Sequence, residues 1–281
     1  MYEVAIIGTG PAGLSVALTL QSLQKNFIWF GKGALSEKIY KAERIKNYAG
    51  LSFVTGREMQ SAFLKQIREA DIQITEKTVT GVYALGTHYV VACNQETFQA
   101  KTVILATGVE SVKPLRGEEA FLGRGVSYCA TCDGFLYKDK TIAVVCTSKD
   151  YEHEIEYLAG IAKKVYLAPV YKDVGTFADN VEIVKGMPVA IEGEKRVQKL
   201  VYKDKSIDID GVFMLKTAIA PSALVPGLAT EGGHVIINRR GETNLAGCFA
   251  CGDCTGRPYQ YAKAVGEGNV CAHSAIEYLK G

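Results

Sequence analysis

The sequence has little excess charge and no long apolar run. Its 281 residues include 32 basic and 30 acidic ones, a formal net charge of +2, whereas nucleic-acid-binding domains are typically strongly basic. No apolar stretch approaches the ~18 residues that a membrane-spanning helix needs. No basic segment precedes the first apolar residues, so no signal peptide is predicted. We therefore expect a cytoplasmic protein that binds neither nucleic acid nor membrane.

Proline, tryptophan and histidine are also scarce, with seven, one and four residues respectively. The histidines (His88, His153, His234 and His273) show neither the spacing of metal ligands nor that of a catalytic triad, so no metal is predicted. Apolar residues make up 48% of the chain and charged residues 22%, which is typical of a globular protein. The length suits about two domains.

Two of the eight cysteines stand close together, in Cys129-Ala130-Thr131-Cys132, and Asp133 follows them. Two thiols at this spacing on a helical turn can form a reversible disulfide, and a helix N-terminus favours the reactive thiolate. A zinc site would need two more ligands, which Cys251 and Cys254 could supply only from about 120 residues away. Redox chemistry is therefore the favoured interpretation, with a metal site and inert packing as alternatives.

A second group of cysteines has the spacing Cys248-x-x-Cys251-x-x-Cys254. This spacing resembles the start of a bacterial iron–sulfur run, but Thr255-Gly256-Arg257-Pro258 stands where the fourth cysteine and its proline would follow. Cys248 to Ala250 is typical of a buried strand, in which cysteine packs as a small apolar residue. Core packing is therefore predicted for this group.

The N-terminal region has the pattern of a dinucleotide-binding turn. An apolar strand, Val4 to Ile7, runs into Gly8-Thr9-Gly10-Pro11-Ala12-Gly13, and a helical pattern and a second strand, Phe27 to Phe30, follow. The three glycines permit a sharp bend, close approach of a pyrophosphate and close helix packing. A purely structural turn is the alternative. An acid usually ends the second strand, but Phe30-Gly31-Lys32 stands there, so backbone groups or Lys32 would have to hold the adenosine.

The rest of the chain alternates strands and helices. A helix is predicted over 56–70, and short β-type runs lead to Val103–Leu105 and Ala106-Thr107-Gly108. A second strand–helix–strand pattern begins near Thr141, with its helix over 152–162. The last helix is predicted from Ala264 to Leu279. This order is typical of an α/β protein with two units of the same kind.

Together these motifs resemble the low-molecular-weight thioredoxin reductase family along essentially the whole chain. Further matches are Asn47-Tyr48-Ala49-Gly50, Gly252-Asp253, Gln260-Tyr261-Ala262 and Gly266-Glu267-Gly268. The resemblance implies two Rossmann-like nucleotide-binding domains, the second inserted into the first. The FAD-binding domain would comprise residues 1–111 and 242–281. The inserted domain, 112–241, would carry the redox disulfide, and a homodimer is expected.

The same resemblance assigns roles to individual residues. Cys129 and Cys132 would form the catalytic disulfide, with Cys129 attacking thioredoxin and Asp133 moving the proton. The residues expected to bind FAD are Gly8, Gly10, Pro11, Ala12, Gly13, Asn47, Ala106, Thr107, Gly108, Gly252, Asp253, Gln260, Tyr261 and Ala262.

The inserted domain departs from the family at its NADPH site. Its turn reads Cys146-Thr147-Ser148-Lys149-Asp150-Tyr151, without a glycine, and Asp150 would repel a pyrophosphate. Ala168-Pro169-Val170-Tyr171 then stands where cations should bind the 2′-phosphate. The degenerate site is similar to that of the ferredoxin-dependent flavin thioredoxin reductases. The resemblance implies electron flow from reduced ferredoxin through FAD and the disulfide to thioredoxin.

Three alternatives stay open at this point. The protein could be an NADPH-dependent thioredoxin reductase with an atypical site, a flavin dithiol oxidase that uses oxygen, or a non-catalytic FAD-binding relay. Because ferredoxins are usually acidic, a basic docking surface is also expected, and the lysine-rich segment 195–205 is one candidate.

Overall fold

The computed structural model describes residues 1–40, 42, 44–109, 114–216 and 220–281, without the side chains of Glu37 and Cys132. The chain forms two compact units, residues 1–109 with 220–281, and residues 110–219. Residues 220–241, which the sequence places in the inserted domain, group with the first unit. They do so because the N–H of Ala250 donates to the Gly241 carbonyl at 2.9 Å and that of Ala229 donates to Asn244 Oδ1 at 2.8 Å.

The predicted α/β class is confirmed by the order of elements. The strands are β1 (Tyr2–Ile7), β2 (Phe27–Phe30), β3 (Gly81–Ala84), β4 (Tyr89–Cys93), β5 (Glu96–Leu105), β6 (Val126–Ser127), β7 (Thr141–Cys146), β8 (Lys164–Pro169), β9 (Val181–Ile183), β10 (Ala190–Gly193), β11 (Val197–Val201), β12 (Ser206–Asp208), β13 (Gly211–Leu215), β14 (Thr230–Glu231), β15 (His234–Val235) and β16 (Cys248–Ala250). The α-helices are α1 (Pro11–Ser22), α2 (Glu37–Tyr40), α3 (Gly56–Glu69), α4 (Ala130–Asp133), α5 (Glu152–Ala159), α6 (Pro221–Leu224) and α7 (Tyr261–Tyr278). Short 3₁₀ helices span Gly134–Tyr137, Lys149–Tyr151 and Gly252–Thr255.

The first unit is built on a six-stranded sheet in the order β2-β1-β5-β4-β3, with β16 also beside β5. β1 runs parallel to β2 and β5, so that Ile6 lies opposite both Trp29 and Ile104, and all three are fully buried. Such continuous apolar strands are expected where a parallel sheet is covered on both faces. β16 is parallel to the second half of β5. The carboxyl ends of β1, β5 and β16 therefore open at one edge, where α/β sheets bind ligands.

Helix α3 shows how a local pattern produces a helix in this unit. Thr55 and Glu58 form a reciprocal capping box at its N-terminus, which satisfies two backbone donors that a helix start leaves free. Met59, Phe63 and Ile67 repeat at helical spacing and are buried. One face of the helix thus packs on the core that also contains Trp29 and Ile104.

The second unit contains a five-stranded parallel sheet in the order β6-β13-β7-β8-β9 and a three-stranded antiparallel sheet, β10-β11-β12. Its core is formed by apolar residues of the central strands, including Val144, Leu167 and Phe213, together with Ile155 and Leu158 of α5. The redox motif follows β6, and the glycine-free turn follows β7. None of the helices in the described ranges is long and apolar enough to cross a bilayer.

Candidate functional site

The glycine-rich loop after β1 needs two of its glycines for packing. Gly8 has φ +113°, and a Cβ built on it would lie 2.2 Å from the Ala106 carbonyl oxygen. A Cβ on Gly13 would lie 2.0 Å from the Gly8 carbonyl oxygen. Any larger residue at either position would have to displace backbone, so these glycines let strand, turn and helix come close together.

Gly10 differs from its neighbours because its surroundings are open. No atom lies within 4 Å of a Cβ built on Gly10, whose φ is −83°. Helix α1 starts immediately after it with Pro11, and no side chain caps the helix. The first amides of such a helix lack intrahelical acceptors and favour a bound anion. The missing side chain thus leaves room for a phosphate at the helix N-terminus.

The other predicted loops of the first unit meet this turn. The N–H of Ala106 donates to Ile7 O at 2.8 Å, and that of Cys251 donates to Leu105 O at 2.9 Å. A Cβ on Gly252 would lie 2.9 Å from the Cβ of Ala12. The structure therefore brings together Gly8–Gly13, Ala106–Gly108 and Gly252–Asp253.

Asp253 lies in a short 3₁₀ helix that an ion pair holds in place. Lys263 Nζ donates to the carbonyls of Gly252 at 2.9 Å and Gly256 at 2.8 Å, and lies 3.2 Å from Glu267 Oε2. Glu267 Oε2 in turn accepts the N–H of Gly252 at 2.8 Å. Burial raises the pKa of Asp253, and the positive charge of Lys263 opposes that rise. The Lys263–Glu267 ion pair was not predicted from the sequence. The signal was present, because a lysine and a glutamate four residues apart on a helix are close enough to pair.

Asn47, Gln260 and Tyr261 form a second cluster in this unit. Asn47 Nδ2 donates to Gln260 Oε1 at 2.8 Å, and Tyr261 Oη donates to the Lys38 carbonyl at 3.2 Å. Tyr261 is the first residue of α7, and Ala262 follows it in the first turn. This N-terminus of an 18-residue helix carries partial positive charge.

The end of β2 lacks an acid of its own, but an acid reaches it from another segment. Glu76 Oε2 accepts the N–H of Gly33 at 3.0 Å, and the N–H of Lys32 donates to Thr9 Oγ1 at 3.2 Å. The sequence does not reveal Glu76, since 43 residues separate it from Gly33. Carboxylate and backbone groups are thus both present where a ribose would be expected.

The redox motif of the second unit is anchored by Ser127. Cys129 is disulfide-bonded and buried, while the side chain of Cys132 lies outside what the structure describes. The N–H of Cys129 donates to Ser127 Oγ at 3.1 Å, and Ser127 Oγ donates to Asp133 Oδ2 at 2.6 Å. One hydroxyl therefore fixes both the first cysteine and the acid that follows the motif. Ser127 was not singled out from the sequence.

A second acid, Glu154 of α5, contacts the same motif. Its side chain is buried, and burial raises the pKa of its carboxyl. The N–H of Ala130 donates to it, which opposes that rise by stabilising the charged form. Helix α5 also packs near Gly134, where an added Cβ would lie 3.0 Å from the Tyr157 ring.

Tyr128, the residue before Cys129, belongs to a buried ionic network. Glu118 and Lys216, whose side chains are 0% and 2% exposed, form an ion pair at 2.6 Å. Glu118 also accepts Tyr128 Oη at 2.6 Å and the N–H of Leu115 at 2.8 Å. Nothing in the sequence pattern marks this pair, since the two residues lie 98 positions apart.

The glycine-free turn after β7 is occupied by the chain's own side chains. Ser148 Oγ accepts the N–H of Asp150 at 3.3 Å, and Tyr151 Oη donates to the Lys216 carbonyl at 2.9 Å. Glu152 Oε1, at the start of α5, accepts Tyr171 Oη at 3.0 Å and the N–H of Gly175 at 2.8 Å. A carboxylate, two tyrosines and a loop thus fill the edge of the sheet where a pyridine nucleotide would bind.

Cys248, Cys251 and Cys254 are free and buried in the first unit. Cys254 Sγ donates to the Cys251 carbonyl at 3.2 Å, and burial raises the pKa of Cys254 to about 11 and that of Cys248 to about 12. Among the described residues no group of three or more His, Cys, Asp or Glu is placed to hold a metal ion. These thiols are protonated core residues at neutral pH.

Comparisons with known proteins agree with this geometry. Residues 2–146 and 175–268 match the pyridine nucleotide-disulphide oxidoreductase family. A thioredoxin reductase of Helicobacter pylori is 31% identical, over the whole of this chain and 99% of its own. A ferredoxin-flavin thioredoxin reductase structure from Clostridium acetobutylicum is 49% identical with a TM-score of 0.90, over 99% of this chain and 98% of that one. A second structure so named, from the same organism, is 43% identical with a TM-score of 0.88, over 99% and 97%.

The glycine-lined space at Gly10, the open N-terminus of α1 and the half-buried Asp253 fit the pyrophosphate and ribityl chain of FAD. The chain belongs to the pyridine nucleotide-disulphide oxidoreductase family, as a flavoprotein of the thioredoxin reductase type with FAD as its cofactor.

Proposed function

We propose that this protein reduces thioredoxin with electrons from reduced ferredoxin, and that it does not use NADPH. The observation that carries the proposal is the filled edge of the second sheet. Tyr151, Glu152 and Tyr171 occupy it through hydrogen bonds of their own. The carboxylate of Glu152 also takes the N–H of Gly175, and a carboxylate at this place repels a pyrophosphate.

The similarity to the two Clostridium structures supports the same donor and acceptor. At 49% and 43% identity over nearly the whole chain, they share their fold with this protein. Both are ferredoxin-flavin thioredoxin reductases, and we extend ferredoxin and thioredoxin to this chain as part of the proposal.

The residues of each unit then have distinct tasks. When bound, FAD supplies a centre that accepts electrons singly and releases them in pairs. The Gly8–Gly13 loop and Asp253 hold that cofactor. In the second unit, two electrons and two protons convert the proposed Cys129–Cys132 disulfide to two thiols. Cys129 then attacks the thioredoxin disulfide, which leaves as a dithiol while the enzyme disulfide re-forms.

Asp133 is proposed to move the proton during that exchange. Its Oδ2 accepts from Ser127 Oγ, which also accepts the N–H of Cys129, so the carboxylate is held close to the cysteine segment. A carboxylate at this place can take a proton from an attacking thiol and, once protonated, give that proton to a leaving thiolate.

Anaerobic titration of the purified protein with NADPH, NADH and reduced ferredoxin tests the proposal. The flavin absorbance is expected to bleach with ferredoxin and to stay unchanged with either nucleotide. Prompt bleaching by NADPH would establish the atypical NADPH-dependent reductase instead. Oxygen uptake with a small dithiol, without ferredoxin-driven thioredoxin reduction, would establish the dithiol oxidase.

The Ser127→Ala variant is expected to slow thioredoxin reduction about 10- to 150-fold, because one hydrogen bond to a charged group is worth roughly 1.5–3 kcal/mol. The rate of flavin bleaching by ferredoxin should not change, since the hydroxyl that the variant removes bonds to Cys129 and Asp133 of the second unit. Stopped-flow measurement of both half-reactions separates the two effects. An equal loss in both half-reactions would mean that Ser127 serves only the fold.

The remaining sequence-based expectations stay predictions. These are the homodimer, the cytoplasmic location, the roles of the individual site residues, and the FAD-domain and inserted-domain boundaries.

A further inference from the structure

A β-hairpin beside the proposed flavin site carries an unusual surface. The hairpin is closed by the N–H of Ile45, which donates to Val54 O at 2.7 Å, and by a bridge between Tyr48 and Leu51. It connects α2 to α3, and its base is tied by the N–H of Gly56, which donates to Ala42 O at 2.8 Å. The segment is therefore a defined element of the first unit.

Cations and aromatic rings alternate on this hairpin and its flanks. Lys46 Nζ lies 6.0 Å from the centroid of the Phe53 ring, and the Arg57 guanidinium lies 4.7 Å from that of Tyr40. Phe53 is 62% exposed and Tyr40 43% exposed. We call the exposed residues Tyr40, Arg44, Lys46, Phe53 and Arg57 the hairpin patch. A large exposed ring rimmed by charge is typical of a protein interaction site.

The charge of this segment is predominantly positive. Between residues 38 and 57 the sequence has five basic residues and one acidic residue, although the whole chain has 32 against 30. With Glu37 and Glu58 at its two ends the segment has a net charge of +2, equal to that of the whole chain. A local field of this kind steers an oppositely charged partner to one place on a nearly neutral protein.

The hairpin also carries a residue of the cofactor site. Asn47, next to Lys46, donates to Gln260, and the Lys38 carbonyl before the hairpin accepts Tyr261 Oη. These contacts tie the patch to the N-terminus of α7 within the same unit. A redox protein seated on the patch would lie close to the point where electrons enter, and electron transfer slows steeply with distance.

We propose that the hairpin patch is the docking surface for an acidic iron–sulfur protein that delivers single electrons to this enzyme. The inference rests on the proposed function and names the place where its donor binds. Arg44, Lys46 and Arg57 supply the electrostatic attraction, and Phe53 supplies the apolar contact at the centre.

The lysine-rich segment 195–205 fits such a partner less well. It also has five basic residues and one acidic residue, but it lies in the second unit, whereas the FAD motifs lie in the first. Lys199 also lies 3.9 Å from Asp208 across β11 and β12. Since it is as basic as the hairpin but belongs to the other unit, this segment provides a matched control.

The test compares two triple variants that each remove three positive charges, Arg44→Gln/Lys46→Gln/Arg57→Gln and Lys195→Gln/Lys199→Gln/Lys203→Gln. Stopped-flow spectroscopy follows flavin reduction by a purified acidic bacterial ferredoxin over a range of salt concentrations. At low salt the hairpin variant should react about tenfold or more slowly than the native protein, with a weaker salt dependence. The control variant should keep both the rate and the salt dependence.

Two further measurements separate docking from damage to the site. Photoreduction of the flavin needs no docking protein and should proceed equally in all forms. Phe53→Ser should raise the ferredoxin concentration needed for half-maximal rate at every salt concentration. An unchanged rate in the hairpin variant, or a loss only in the control, would overturn the docking site. If ferredoxin does not reduce the native protein at all, the proposed function fails as well.

Discussion

Gly10→Ala is expected to weaken FAD binding about 10- to 100-fold, because a methyl group would enter a close-packed contact at a cost of roughly 1–3 kcal/mol. The apoprotein itself should tolerate the change. No atom lies within 4 Å of the added Cβ, and φ of −83° is ordinary for alanine. Alanine should also not lower the free energy of unfolding of the apoprotein, since it restricts the unfolded chain more than glycine does.

The neighbouring glycines give the matched comparison. Gly8→Ala and Gly13→Ala place a Cβ 2.2 Å and 2.0 Å from backbone oxygens, so both should destabilise the folded protein whether or not FAD is present. Gly10→Ala should therefore purify folded, with little yellow colour and with the melting temperature of the native apoprotein. Calorimetric titration of each apoprotein with FAD measures the affinity directly.

Native FAD affinity in the Gly10→Ala variant would show that the pyrophosphate lies elsewhere. A melting temperature as low as that of Gly8→Ala would show that Gly10 serves the fold instead. FAD affinity and apoprotein melting temperature together therefore distinguish a glycine that leaves room for the pyrophosphate from a glycine that the fold requires.

The local motifs of both units could be predicted because short-range patterns determine them. The strand before Gly8, the glycine turn and helix α3 depend on neighbours within a few residues, and the sequence predicted all three. The helix predicted over 152–162 ends at Ala159, since Gly160 is a weak helix former. Cys248–Ala250 was predicted as a buried strand and is β16.

The contacts that complete the sites could not be predicted because they join distant segments. Asn47 bonds to Gln260 across 213 positions, and Glu76 bonds to Gly33 across 43. The loss of the nucleotide turn was visible as missing glycines. The hydrogen bond between Glu152 and Tyr171 that replaces this turn could not be predicted, because only the folded loop brings Tyr171 to α5.

Lys216→Met is expected to lower the free energy of unfolding by about 3–5 kcal/mol, the usual result of leaving one member of a buried ion pair alone. The side chain of Glu118 is 0% exposed, so water cannot replace the lost ammonium group. Tyr128 and the N–H of Leu115 would still donate to it, but neither carries a charge. Urea unfolding followed by circular dichroism measures the change.

An exposed pair in the same unit provides the control for that loss. Arg116 lies 2.7 Å from Glu192, with side chains 76% and 49% exposed. Arg116→Met should cost less than about 1 kcal/mol, because solvent screens exposed ion pairs. The double variant Glu118→Leu/Lys216→Met should recover part of the stability, since it removes both buried charges together but also removes the acceptor of Tyr128 Oη and of the N–H of Leu115.

If Lys216→Met and Arg116→Met lowered the free energy of unfolding by equally small amounts, the Glu118–Lys216 pair would not be a buried, desolvated ion pair. The double variant also shows what the pair does for the redox motif. Tyr128 directly precedes Cys129 and loses its acceptor when Glu118 is replaced. A stable double variant with a shifted disulfide reduction potential would therefore mean that the ion pair positions the cysteine segment, whereas an unshifted potential would limit its role to holding the second unit together.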